Sequence, residues 1–304
     1  MSIEQLAKPD AECDAADCTQ IKMVITPKQK DLGGFSVRRV LPSVNQRMVG
    51  PWLFFDHMGP AEFKAGEGIS VRPHPHINLA TVTYLFEGEI LHRDSLGSCQ
   101  PIQPGDVNLM VAGSGIVHSE REREEVTAVD HRLHGLQLWL ALPEKDQETA
   151  PEFIHYPDAT IPSTNVNGVP VKVIMGQAFG YKSPVKLFAD TLYIEATLHA
   201  GQTLELPNAQ ERALYVAGGE VSIDGTALAQ YQMAILGGNE CITVAANSNA
   251  RIALIGGEKM SPRLMYWNFA STDKERIEKA KQDWREQKFE KVPGDESEFI
   301  PLPD

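Results

Sequence analysis

Between Ile21 and Leu142 the chain is built from short apolar stretches of roughly four to eight residues, each cut off by Gly, Pro, Asn or Asp. Gly33-Gly34, Pro60, Gly66 to Gly68, Gly97, Pro104-Gly105-Asp106 and Gly113-Ser114-Gly115 are the clearest stops. That punctuation is the texture of strands and turns, and it points to an all-β sandwich or barrel rather than alternating βαβ units. The same texture resumes beyond the polar stretch Pro143 to Glu148, through Val169 to Met175, Thr191 to Leu198, Ala213 to Val221 and Ala250 to Ile255.

A length of 304 residues fits two domains of roughly 150 each. An internal echo supports the division. Tyr84-Leu-Phe-Glu-Gly88-Glu89-Ile90 and Tyr215-Val-Ala-Gly-Gly219-Glu220-Val221 share Tyr, Gly and Glu at an offset of roughly 130 residues. The expected organisation is an N-terminal arm over 1–20, a first β domain over 21–142, a second over 143–262, and a helix with a tail over 263–304. In that last part Thr272-x-x-Glu275 has the form of a capping box, and Ile277, Ala280 and Trp284 share one helical face. Glu275 and Lys279 form an i,i+4 pair and Pro293-Gly294 stops the run, predicting a helix of about 18 residues followed by an extended acidic tail.

Composition excludes several classes. Forty-two per cent hydrophobic and 23% charged residues place the chain in the ordinary globular range. A formal net charge of -13 repels phosphate backbones, so direct nucleic-acid binding is not expected. The first residues, with several acids and no continuous apolar core, do not read as a secretory leader, and no apolar run is long enough to span a bilayer, the nearest being Leu136 to Leu142, so a cytoplasmic protein without membrane contact is expected. Four cysteines, at 13, 18, 99 and 241, make no disulfide framework. Cys13 and Cys18 lack the second Cys/His pair that would complete a zinc knuckle. Gly113-Ser114-Gly115 lacks the Lys-Ser/Thr of a phosphate-binding loop, and no nucleophile elbow surrounds Ser119.

The chemistry is concentrated in the first domain. All nine histidines lie between His57 and His199. His74 and His76 flank Pro75, and residues i and i+2 of a strand share one face. His118 and Glu120 repeat that spacing after a glycine turn, so two strands can aim two ligand-type side chains each at one point. Three imidazoles and a carboxylate suit Fe(II), Mn(II), Ni(II), Co(II) or Cu(II), and Zn(II) also fits. Glu122, on the same alternate face, is a reserve ligand. His57 follows Asp56 and reads either as an outer partner orienting a ligand or as a buried structural histidine. His92, His131, His134, His155 and His199 lack a paired ligand pattern. Arg72, Arg93, Arg121 and Arg123, close in sequence to the ligands, read either as attracting an anionic substrate or, the favoured expectation, as pairing with Asp94, Glu122 and Glu124 at a barrel rim.

Gly68-x5-His74-x-His76 with Gly88 downstream, then Pro104-Gly105-Asp106 and Gly115-Ile-Val-His118-Ser-Glu120, resembles the cupin pattern in the form used by the pirin family. Phe54 to Pro60 and His92 to Gly97 resemble that family as well. The resemblance is dense over roughly residues 30 to 142 and looser beyond. It implies a bicupin, two tandem antiparallel jelly-roll barrels with a C-terminal helix, the first barrel binding metal and the second degenerate. It also implies one mononuclear metal, most commonly Fe(II), on His74, His76, His118 and Glu120. One departure stands out. Where many members read Arg-Gly-Phe-Glu after His-Pro-His, this chain reads Ile77-Asn78-Leu79-Ala80, so the carboxylate that general cupins supply near residue 80 is missing.

The activity implied by the resemblance is that of a quercetin 2,3-dioxygenase, with a flavonol-like substrate and Glu120 as ligand and catalytic base. The alternative it implies is a metal-dependent regulator, without enzymatic activity, of transcription factors or metabolic enzymes.

Overall fold

The computed structural model describes residues 20–31, 35–237 and 241–303. The arm with Cys13 and Cys18, the Gly33-Gly34 turn and Asp304 lie outside the described residues. The chain forms two antiparallel β units, each pairing a seven-stranded sheet with a four-stranded one. In the first, the large sheet runs Glu152–Tyr156, Val107–Val111, Leu79–Glu87, His131–Ala141, Trp52–Phe63, Ser36–Leu41 and Lys28–Asp31. Facing it are Ser70–His76, Ile116–Arg121, Ile90–Asp94 and Cys99–Ile102. Val37, Met58 and Leu133 of the large sheet pack in one apolar cluster with Ile90 and Ile102 of the small one, which closes the barrel. In the second unit Ile194, Ala196 and Leu214 meet Val221, Ile223 and Val244 in the same way. The all-β architecture of two tandem cupin barrels follows.

Strand alternation also joins the two units. Along His131–Ala141, Leu136, Leu138 and Leu140 face away from the first barrel. They enter a cluster with Trp52, Phe55, Val82 and Tyr84 that continues into Tyr193, Tyr215, Met233 and Ile255 of the second unit. The indole of fully buried Trp52 donates to the carbonyls of Leu192 and Gly256 at 3.2 and 3.0 Å, tying its polar atom to the second sheet. Large sheet therefore packs on large sheet, with apolar side chains on both faces of each.

Two strands cross the domain limits expected from the sequence. Ile21–Ile25 pairs with Met233–Leu236 in the second unit, and Glu152–Tyr156 pairs with Val107–Val111 in the first. Linear segmentation cannot detect such an exchange, because each strand is recognised by an edge distant in sequence. The internal echo is real in three dimensions. Gly88 and Gly219 follow equivalent strands at φ 88° and 74°. A Cβ at either would lie 2.3 or 2.1 Å from a neighbouring backbone carbonyl, of Arg132 or Asn249. Both turns thus need glycine.

The C-terminal helix is shorter than the pattern indicated, spanning Lys274–Arg285. Asp273, not Thr272, caps it by accepting from the Glu275 amide, and Lys279 pairs with Asp283 rather than Glu275. Gln287, at φ 55°, turns the chain six residues before Pro293. The expected face is buried: Ile277, Ala280 and Trp284 pack on Ile77, Val117 and Phe269, behind the strands that carry the histidine pairs. The tail continues over that surface, with the Ile300 amide on the Pro73 carbonyl at 2.9 Å. Among the described residues, no helix is long and apolar enough to cross a membrane.

His57 belongs to the contact between barrels. Its Nδ1 lies 2.6 Å from the Tyr215 hydroxyl and its Nε2 2.7 Å from Nε2 of His134. Burial, reinforced by His134 and Arg38, pushes His57 down to about 2, and burial pushes His134 down to about 4. The folded value of His57 lies below the unfolded one of about 6.5, so unfolding takes up a proton at acidic pH. Stability then falls as pH drops below 6.5, by about 1.4 kcal/mol per pH unit from this residue. Denaturant titrations between about pH 7 and pH 5 should show a shallower fall for His57→Gln than for the wild type. Equal slopes would contradict a neutral, buried His57.

Candidate metal centre

Ser70–His76 and Ile116–Arg121 are antiparallel neighbours, with His118 opposite His74 and Ile116 opposite His76. Alternation turns His74, His76 and His118 to the barrel interior, while Val117 faces the C-terminal helix. Each of the three offers a ring nitrogen, and these nitrogens all lie within 4.8 Å of one another. Nε2 of His76 stands 3.1 Å from Nε2 of His118. The Arg72 carbonyl accepts from Nδ1 of His74 at 2.9 Å, which fixes the tautomer and leaves Nε2 as the free lone pair.

All three rings are buried. Burial pushes His74 down to about 4 and holds His76 and His118 well below the ordinary imidazole range, with neighbouring histidines adding to the effect. They are neutral at physiological pH, the state in which imidazole ligates metal. Two nitrogens each about 2.1 Å from one ion at a right angle would be about 3.0 Å apart. The donor set and the observed spacing fit a single ion.

Glu120 sits on the same strand but outside that trio. The ladder is irregular beside it, because His74 to Val71 on one strand opposes His118 to Glu120 on the other, one residue fewer. Burial pushes its carboxyl up to about 7, against the pull of a hydrogen bond from the Gln137 side chain.

His92, directly opposite Glu120 in the ladder, is the neighbour the sequence pattern missed. Its ring stacks on Phe153 at 4.2 Å, lies 5.4 Å from that of His118, and has Nε2 at 2.9 Å from Asp94. Burial raises the Asp94 carboxyl, but the bonds from His92 and Ser98 together outweigh it and leave it below the usual range. Trp139 packs edge-on against His76 at 4.9 Å and stacks on Phe54 at 3.9 Å, giving the site an apolar wall. The available signals were His92-x-Asp94 at strand spacing and Gln137 as a polar break in an otherwise apolar strand.

Several expectations need correction. Glu122 does not reach the site; it accepts from the Ile69 amide at 2.8 Å and lies 3.2 Å from His131. The strand ends at Arg121, so alternation no longer governs residue 122. Of the two readings of His57, the buried structural one holds: it faces the second barrel, not the ligands. Arg121 pairs with Asp295 and Glu298 of the C-terminal tail and Arg123 with Glu89, instead of Asp94, Glu122 or Glu124. Asn78, in the segment departing from the general cupin text, is a turn residue at φ 58° whose side chain donates to Glu148 at 2.6 Å. Ala80 faces the second unit. Neither residue reaches the histidines.

Comparison with known proteins agrees with this architecture. The Pirin family model matches residues 34–140 and the Pirin C-terminal cupin domain model residues 193–290. A pirin-like protein of Caulobacter vibrioides is 46% identical over 288 residues, covering 93% of this chain and all of the relative. A crystal structure of quercetin 2,3-dioxygenase from Acinetobacter baumannii superposes with a TM-score of 0.88 at 32% identity, covering 94% of this chain and 96% of that one. The Escherichia coli pirin YhhW, solved with nickel(II), shares the fold at a TM-score of 0.62 and 20% identity, over 78% of this chain and 99% of its own.

Replacing His118 by Ala should lower metal affinity by more than the roughly 10- to 100-fold typical of losing an outer partner. His199→Ala, remote from the site, should leave it unchanged. Elemental analysis after anaerobic loading measures both, and equal metal content in His118→Ala and wild type would refute the site.

Proposed function

The chain belongs to the pirin family, and on that premise we propose that it is a mononuclear-metal oxygenase of the quercetin 2,3-dioxygenase type, acting on a flavonol or a similarly enolisable substrate. The observation that carries this reading is the trio of buried, neutral imidazoles converging inside an apolar barrel. The likeness to the Acinetobacter baumannii dioxygenase over nearly the whole chain supports it. His74, His76 and His118 would hold the ion, with Glu120 as a fourth, anionic ligand. Fe(II) is the proposed metal; this nitrogen-and-oxygen set also accommodates Mn(II), Ni(II), Co(II), Cu(II) and Zn(II).

When bound, the ion supplies Lewis acidity towards the substrate oxygens and an open position for orienting them. The remaining work falls to the chain. Glu120 takes the proton of the flavonol 3-hydroxyl at its carboxylate. Trp139, Phe54 and Phe153 flank the planar substrate and exclude water from the reacting carbons. Loss of the proton makes the substrate electron-rich enough to combine with O2; the heterocycle then opens and carbon monoxide leaves.

Metal-loaded protein should consume quercetin and O2 together and release carbon monoxide, and His74→Ala should abolish turnover along with metal. Full metal occupancy with no turnover of quercetin or related flavonols would overturn the oxygenase reading and favour a metal-dependent regulator.

A further inference from the structure

Across the large sheet of the first barrel, one row of residues is polar from edge to edge. His155, Asn108, Thr83, Gln137, Asp56 and Arg39 are successive cross-strand partners at one level of six adjacent strands. The rows on either side are mainly apolar, with Met110, Trp139 and Phe54 above and Leu85, Met58 and Val37 below. A buried polar row is costly unless its groups are paired. Arg39 and Asp56 satisfy each other through two bonds of 2.9 and 2.7 Å. Nδ1 of His155 donates to the side-chain Oδ1 of Asn108 at 2.6 Å.

The middle of the row points at the metal centre. Thr83 donates its hydroxyl to Oε1 of Gln137 at 2.9 Å. An amide whose oxygen is held in this way presents its nitrogen on the other side; Gln137 shares the inward face of its strand with Trp139, which packs on His76, and its side chain pulls the Glu120 carboxyl down against burial. Glu120 needs such a partner. Its ladder is irregular, its carboxylate lies outside the histidine trio, and three side-chain torsions leave it many alternatives. Thr83 and Gln137 sit opposite each other on adjoining central strands, the stiffest support available.

We propose that Thr83 and Gln137 act as a positioning pair for Glu120, with Thr83 fixing the orientation of the amide and Gln137 holding one carboxylate oxygen so that the other is aimed at the metal. This rests on the reading of Glu120 as the fourth ligand. The consequence is that Gln137, which touches neither metal nor substrate, sets how firmly the site binds its ion.

The test is Co(II) affinity by competition with a chromophoric chelator, together with the visible spectrum of the bound Co(II). Gln137→Leu should weaken binding by about 10- to 100-fold and alter the spectrum. Thr83→Val, close in shape, should shift both in the same direction by less, and it serves as the mild variant should Gln137→Leu fold poorly. In a Glu120→Gln background, Gln137→Leu should add little, because the pair acts through that carboxylate. Unchanged affinity and spectrum in Gln137→Leu and Thr83→Val, with Glu120→Gln clearly weakened, would overturn the positioning role alone. Losses that simply add in the double variant would do the same. No effect of Glu120→Gln would remove both the fourth ligand and the inference built on it.

Discussion

Three imidazoles kept uncharged by burial are the condition on which the rest of this molecule depends. Desolvation alone drives His74, His76 and His118 toward the neutral form, and their proximity adds to it, since a proton on one repels a proton on the next. Neutral rings present lone pairs, and lone pairs gathered at one point are a site for a cation. The barrel achieves this through its walls. Phe54, Trp139 and Phe153 give the interior an apolar wall beside the rings, and Met110 and Ile116 pack in the same cluster.

The wall is rigid because it is packed from both sides. The large sheet of the first barrel faces its own interior on one side and the sheet of the second barrel on the other, so its strands are sandwiched between two apolar clusters. Strand exchange reinforces the arrangement, each unit taking an edge strand from beyond the expected boundary. Behind the ligand strands the C-terminal helix and tail supply a second layer, anchored by the Arg121 pair with Asp295 and by the Trp284 indole on the Ile300 carbonyl at 3.0 Å. The second barrel, which lacks histidine beyond residue 199, contributes support rather than ligands.

Much of this was legible in the sequence, for reasons that can be named. Period-two spacing placed His74 with His76 on one face, and turn punctuation gave the all-β class. The Tyr-Gly-Glu echo marked equivalent hairpins because both glycines combine a positive φ with a backbone carbonyl too close to admit a Cβ. What the sequence hid was long-range. His57 read either as an outer partner of the ligands or as a buried structural histidine, and only the register, which sends it to Tyr215, decides for the second. Arg121 lay among nearby acids and still paired with a residue of the tail. Gln137, Thr83 and Asn108 form a row only once strands distant in sequence align. Register between strands, rather than the character of any one of them, carried the missing information.

The most direct test of a three-histidine metal centre is anomalous diffraction at the absorption edge of the loaded metal, on crystals grown from anaerobically loaded protein. The account predicts one strong peak within bonding distance of Nε2 of His74, His76 and His118. A peak elsewhere, or full loading in solution with no peak among those three rings, would contradict it.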